Sequence, residues 1–418
     1  GYMVFKKRAI DYFSSIGQEL KMDDGIEELI DHTNVLQEVK QEVAKRNITK
    51  DQIVMEKVIH VNRGGGRRTE DYVNVEVLLQ ETIEIKEQIK NMREKDVFKK
   101  PDDALPSYSY KLIPTFYNRF FPIKLTLTVL AEMIYHENGK SVDYNEFREE
   151  AYAYIVHCSS ILKEKEKKYE NPDGTIGLDR TKKISTGLPL PRPSFPDNAK
   201  DELKQKEYNK SVMKWESSKE RFLEQYIGPT TKQWQRKKKD QNSDDFFFDG
   251  ALNSMDLVSI TEGNDGRLKI NFTEKGAEFY DVPNEILDNF PNIRLEKHKP
   301  IRSEECVFLM ENVIKKDPFS LEKKLVDSTY DILEKADDQC VFGSELDDSF
   351  KEILEEIASK YDGERKKKFL EGTRQATMGR LSEMGLVDWK IYSKEDGKDT
   401  TKYGKSCFIL NESMKNNW

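Results

Sequence analysis

Arginine and glutamine bond guanine and adenine edges bidentately, and the stretch from Thr373 to Val387 carries Arg374, Gln375 and Arg380, with Thr377 among them. Met378, Leu381 and Met384 are spaced three apart and would bury one side of a helix there, which leaves Arg374, Gln375 and Arg380 to face a groove. A helix N-terminus also suits phosphate, because its free N–H groups point outward. From Glu364 to Lys405 there are eleven Lys/Arg and seven Asp/Glu, a local +4 in a chain of net charge -8. In the lysine-rich loop from Ser393 to Lys405, Lys394, Lys398 and Lys402 are placed to hold phosphates. The competing reading of the same stretch is a solvated helix in a purely structural module.

Other groups were weighed for chemistry. Arg67 and Arg68 follow Gly64-Gly65-Gly66, and a glycine-rich arginine tip on a hairpin suits a narrow minor groove. The tip lacks the Lys-Ser/Thr of a phosphate-binding loop, and its plain alternative is a surface loop. Glu84-Ile85-Lys86, set on a possible strand with Asp71 upstream, mimics the carboxylates and lysine of a metal-dependent nuclease. The same Glu-x-Lys spacing recurs at Glu38 and Glu322, as it must in a chain that is 35% charged. The four cysteines, Cys158, Cys306, Cys340 and Cys407, form no Cys-x-x-Cys pair, and the five histidines form no metal-ligand pattern. His157 and Cys158 are adjacent, so on a helix they point about 100° apart and make no dyad. No metal, no cofactor and no enzymatic activity are expected, and the thiols read as free in a reducing cytoplasm.

The elements that must position these residues are small. With 418 residues, 36% hydrophobic, two to four modest cores are expected. No apolar run approaches the ~18–20 residues that span a bilayer, so no membrane partner is expected. An N-terminal α+β region over 1–100 would hold helices up to residue 50 and a hairpin of Val54–Val61 and Tyr72–Val77. A module over 107–186 would begin with a helix after Pro122 that ends at Asn138-Gly139. A helix from Tyr144 would follow, broken near His157–Ser160. A module over 201–290 contains a helix ending at Tyr226 and the basic run Arg236–Lys239, which reads equally as a contact to a phosphate backbone or as a charged loop. Phe246–Met255 reads as helical and carries Asp249 and Asp256; strands flank Asn264-Asp265-Gly266, and Thr273 caps a further helix. A module over 301–418 would hold helices at Leu321–Leu333, Asp347–Lys360 and Thr373–Met384, closed by strands at Val387–Tyr392 and Ser406–Leu410.

Met384-Gly385-Leu386-Val387 after this helix, and the lysine-rich loop between two strands, resemble the recognition helix, exit and wing of winged-helix DNA-binding proteins. Phe246–Phe272 resembles the same outline more loosely, and Pro122–Leu178 more loosely still. Tandem modules on such a chain are similar to archaeal regulatory or plasmid-maintenance proteins. The fold class implied is mainly α with short β-hairpins, as tandem winged-helix modules. The leading expectation is a non-enzymatic protein that binds double-stranded DNA through the third module, for transcription regulation or genome maintenance. The alternative is a scaffold whose modules pack on other proteins or on a second copy, a reading favoured by the acidic total charge and the acidic second module.

Overall fold

The computed structural model describes residues 55–61, 68–107, 112–113, 119–167, 184–193, 202–240, 247–290, 300–317, 320–336, 339–393 and 399–412. These residues are mainly helical, with short strands in small antiparallel sheets. The helices expected before residue 50 lie outside them.

The chain divides into two units, 2–87 and 88–418 with Gly1. In the first, β1 (Met55–Val61) pairs antiparallel with β2 (Arg68–Asn74), with Val61 opposite Arg68. The hairpin is as expected, but α1 (Val75–Glu94) begins where the sequence suggested the strand would run on to Val77. Helix propensity summed over the Glu, Gln, Leu and Lys that follow outweighs two valines.

Among its described residues, the second unit contains twice a helix, a two-residue strand, further helices and a closing hairpin, with one more helix in the first copy. The first copy starts with α2 (Phe121–His136). This helix is buried on nearly every side, Ile123, Leu127, Leu130 and Ile134 among its core residues, as a central helix must be. Asn138 (φ 53) and Gly139 (φ 86) end it in left-handed conformations. The two-residue β3 (Val142–Asp143) leads into α3 (Tyr144–Lys167). α3 runs unbroken through His157–Ser160, because Ile155, Cys158, Ser159 and Leu162 share its buried face. Next come α4 (Glu202–Tyr226), α5 (Thr231–Asp240) and the single-turn α6 (Ala251–Ser254). The hairpin of β4 (Val258–Glu262) and β5 (Leu268–Phe272) closes the copy, and its sheet runs in the order β3-β5-β4.

Val142 lies opposite Ile270 in that sheet. The spans 107–186 and 201–290, expected as separate modules, therefore build one sheet and one core. A two-residue strand has no stability of its own, so β3 forms only on the edge of β5. Two further expectations are corrected here. The basic run at 236–239 lies on α5, and of the described residues 247–255 only those of α6 are helical.

Two short helices follow, α7 (Glu274–Asp281) and α8 (Glu285–Asp288). Thr273 Oγ1 accepts from Gly276 N at 3.1 Å, the cap read from Thr-Glu-Lys-Gly. α9 (Ser303–Leu309) then passes into a π-helical turn, Met310–Ile314.

The second copy repeats the order. α10 (Leu321–Lys335) precedes β6 (Val341–Phe342) and α11 (Gly343–Ile353). The short α12 (Glu355–Ala358) precedes α13 (Gly363–Glu383). β7 (Val387–Ile391) and β8 (Ser406–Leu410) close it, with sheet order β6-β8-β7. Gly385, at φ 72, supplies the left-handed stop between α13 and β7. The expected helix at Thr373 thus begins ten residues earlier, at Gly363. Arg365 to Lys368 are good helix formers, but they carry no apolar period to announce them.

Candidate nucleic-acid interface

α13 has two halves of opposite character. From Thr373 to Glu383 it is packed: Thr373, Ala376, Thr377, Met378, Gly379, Arg380, Leu381 and Glu383 are buried. From Gly363 to Lys368 it is exposed apart from the half-buried Lys366. The second half packs on α11 and β7, whereas Gly363, Lys366 and Lys367 of the first half line an open groove with Asp347, Asp348 and Lys351 of α11.

Burial takes most of the expected base readers away from any groove. Arg380 is 1% exposed. Its Nη2 donates to Glu322 Oε1 on α10 at 2.6 Å and to Thr377 Oγ1 at 3.2 Å. Thr377 is itself fully buried. Arg374 lies over Gly343, donates to its carbonyl at 3.0 Å and forms an ion pair with Asp347 of α11. Arg374, Thr377 and Arg380 therefore hold α13 to its neighbours. The small residues Ala376, Thr377 and Gly379 were the available signal, because small side chains allow that close an approach. Gln375 alone of the expected helix residues is exposed.

Lys402 stays on the loop before β8, half-buried, with its Nζ 4.7 Å from the centre of the Phe342 ring and 3.9 Å from Asp399. Lys394, Lys398 and Arg67 lie outside the described residues. Arg68 opens β2, opposite Val61. Glu84 and Lys86 are on α1, not on a strand, and residues two apart on a helix point about 200° apart, which removes the shared face a nuclease site needs. Among the described residues no group of three or more His, Cys, Asp or Glu could hold a metal ion. None of the described helices is long and apolar enough to cross a membrane.

The basic residues that α13 presents are Arg365, Lys367 and Lys368, with Lys366 beside them. Lys368 lies 3.7 Å from Glu364, Lys367 lies 3.9 Å from Glu371, and Lys366 is 2.8 Å from Glu355. The first two are solvent-exposed i,i+4 pairs of small worth, so either lysine can exchange its partner for a phosphate at little cost. Between this basic end and Gln375 sits Gly372, where an added Cβ would meet nothing within 4 Å. The helix backbone is thus open to close approach there.

The corresponding place in the first copy is different. α6 is one turn long, and Asp256 after it is held by Lys100 at 2.9 Å and Lys275 at 3.5 Å. Burial works against the Asp256 carboxylate, but those two ammonium groups keep its pKa below the usual aspartate value. Phe248 is fully buried against Trp234 and Tyr144, as expected of core.

A polar network that no sequence pattern announces ties the second copy to the first. Glu383, at the end of α13, accepts from the backbone N–H of Phe120 and, at 3.4 Å, of Phe121, and so caps α2 from 262 residues away. Arg119 lies 3.6 Å from the same carboxylate. Burial pushes the Glu383 carboxyl up to about 7, although Arg119 and the two N–H groups pull the other way. Glu322 accepts from Ile113 N at 3.2 Å as well as from Arg380. On α2, Lys124 reaches Val282 O at 2.7 Å and Glu305 at 3.2 Å.

No protein-family model, curated protein or solved structure matches this chain.

Proposed function

We propose that the protein binds double-stranded DNA through the second copy, with the exposed N-terminal half of α13 against the duplex, and that both copies are winged-helix modules. The observation that carries this reading is the division of α13. One helix combines an anchored half, locked by Arg374 and Arg380, with a solvent-exposed half bearing Arg365, Lys367 and Lys368. A rigidly held basic helix is the means by which helix-turn-helix proteins enter a major groove. The repeated strand order, first strand beside last, supports the winged-helix reading. Lysines on phosphates and the lone exposed amide of Gln375 imply affinity dominated by charge, with limited base discrimination.

The scaffold reading has one observation in its favour: Glu383 and Glu322 of the second copy bind the backbone of Phe120, Phe121 and Ile113, and the first copy offers no long basic helix where the second has α13. In that reading the winged helices are a rigid platform for another protein.

Fluorescence anisotropy on a random duplex at about 50 and 200 mM salt separates the two. Binding that weakens with salt, and that is lost when Lys367 and Lys368 are both changed to Glu, supports the DNA reading. Salt-independent behaviour, or equal binding by the double variant, rejects it in favour of the scaffold.

A further inference from the structure

Cys340 and Cys407 are 67 residues apart in sequence, yet their sulfur atoms are 2.9 Å apart. The register explains the meeting. Phe342 lies opposite Cys407 across β6 and β8. Cys340 is two residues before Phe342, so it stands on the same face of the sheet. Cys407 is fully buried with Phe342 and Tyr392, whereas Cys340 is half-exposed at the edge of that cluster. One sulfur is therefore accessible from solvent, and the second waits behind it. A disulfide needs the sulfurs to close by only about 0.9 Å.

We propose that Cys340 and Cys407 form a reversible disulfide site whose co-reactant is a hydroperoxide. With hydrogen peroxide, the Cys340 thiolate attacks one oxygen; the S–O bond forms, the O–O bond breaks, and the hydroxide that leaves takes up the proton Cys340 had released, giving a sulfenic acid and water. Cys407 then attacks the Cys340 sulfur; the S–S bond forms, the S–O bond breaks, and a second water leaves with the Cys407 proton. In sum, two thiols and one hydrogen peroxide give one disulfide and two waters. A dithiol returns the pair to thiols. Neither Cys158 nor Cys306 offers an exposed thiolate to start the reaction. Cys158 and Cys306 are buried in α3 and α9, and burial pushes their thiols up to about 12 and about 11, which keeps them protonated. The loop closed by the bond contains α11, α13 and β7, so oxidation staples the first strand of the second copy to its last around the whole basic helix.

The test treats the reduced full-length chain with one equivalent of hydrogen peroxide, alkylates the remaining thiols and digests without reductant. The expected product is a joined Cys340–Cys407 peptide pair, two hydrogens lighter than the separate peptides, with Cys158 and Cys306 alkylated. Dithiothreitol should restore four thiols. The oxidised chain should melt at higher temperature than the reduced one, and Cys340→Ser, at a half-exposed position that does not threaten folding, should abolish the rise. Sulfinic acid on Cys340 with Cys407 still alkylatable overturns the proposal, as does a disulfide to Cys158, Cys306 or a second chain.

Discussion

The Arg380 guanidinium is buried against the Glu322 carboxylate, Nη2 to Oε1 at 2.6 Å, with both side chains at most 3% exposed. Neither charge has access to water, so each depends on the other. Among the described residues, Arg380→Ala leaves the buried Glu322 carboxylate only the Ile113 N–H, 3.2 Å away, to satisfy it. The expected loss is about 3–5 kcal/mol of stability, read as a fall in the urea midpoint. Adding Glu322→Ala should recover part of it and not all, because Ile113 N–H then goes unpaired at a cost of about 1–3 kcal/mol. An Arg380→Ala protein as stable as the parent removes the anchoring role given to this residue.

Glu383 predicts a pH dependence. Its folded pKa, about 7, lies above the ordinary value of 4.5. Between those values the folded state holds a proton that the unfolded state has released. This group's contribution is therefore fully present below about pH 4.5 and is lost as pH rises through 7. Glu383→Gln keeps an acceptor for the Phe120 N–H without the buried charge. Melting curves from pH 5 to 8 should show a downward slope in the parent that flattens in the variant; equal slopes would refute the assignment.

The basic end of α13 should act through charge alone. Lys367→Ala and Lys368→Ala are each expected to weaken binding to all duplex sequences alike and to reduce the salt slope by about one unit. Gln375→Ala, at the exposed amide, should instead change preference at one base pair by about 1–3 kcal/mol. Titrations on matched and scrambled duplexes distinguish these outcomes. Uniform loss in the glutamine variant would mean that Gln375 touches backbone only.

Two glycines should respond in opposite ways. At Gly276 an added Cβ would lie 1.7 Å from the Leu257 carbonyl oxygen. Gly276→Ala must push α7 off β4 and should destabilise by the upper part of the usual 1–3 kcal/mol for overpacking, about 3. At Gly372 the space is open. Gly372→Ala should raise helix stability by about 0.5–1 kcal/mol, while weakening DNA binding if the duplex comes close there. Thermal melts and anisotropy on the two variants check both parts.

Local chemistry was legible in the sequence wherever it depends on neighbours along the chain. Asn138-Gly139 ended α2, Thr273 capped α7, Gly385 stopped α13, and β8 ran from Ser406 to Leu410, the bounds expected of the closing strand. Turn and cap residues act within a few positions, so their meaning survives without a fold. The basic surplus of the C-terminal module was legible too. Which of its charges face solvent was not, because Arg374 and Arg380 find their partners 27 and 58 residues away, on other helices. Only packing told them apart from Lys367 and Lys368. The joining of 107–186 to 201–290 was equally hidden, since β3 is two residues long and exists only by pairing with β5. Caps, turns and total charge belong to the sequence by itself. Burial of a charge and the pairing of a minimal strand belong to the tertiary structure, because their free energy comes from groups that only the fold brings together.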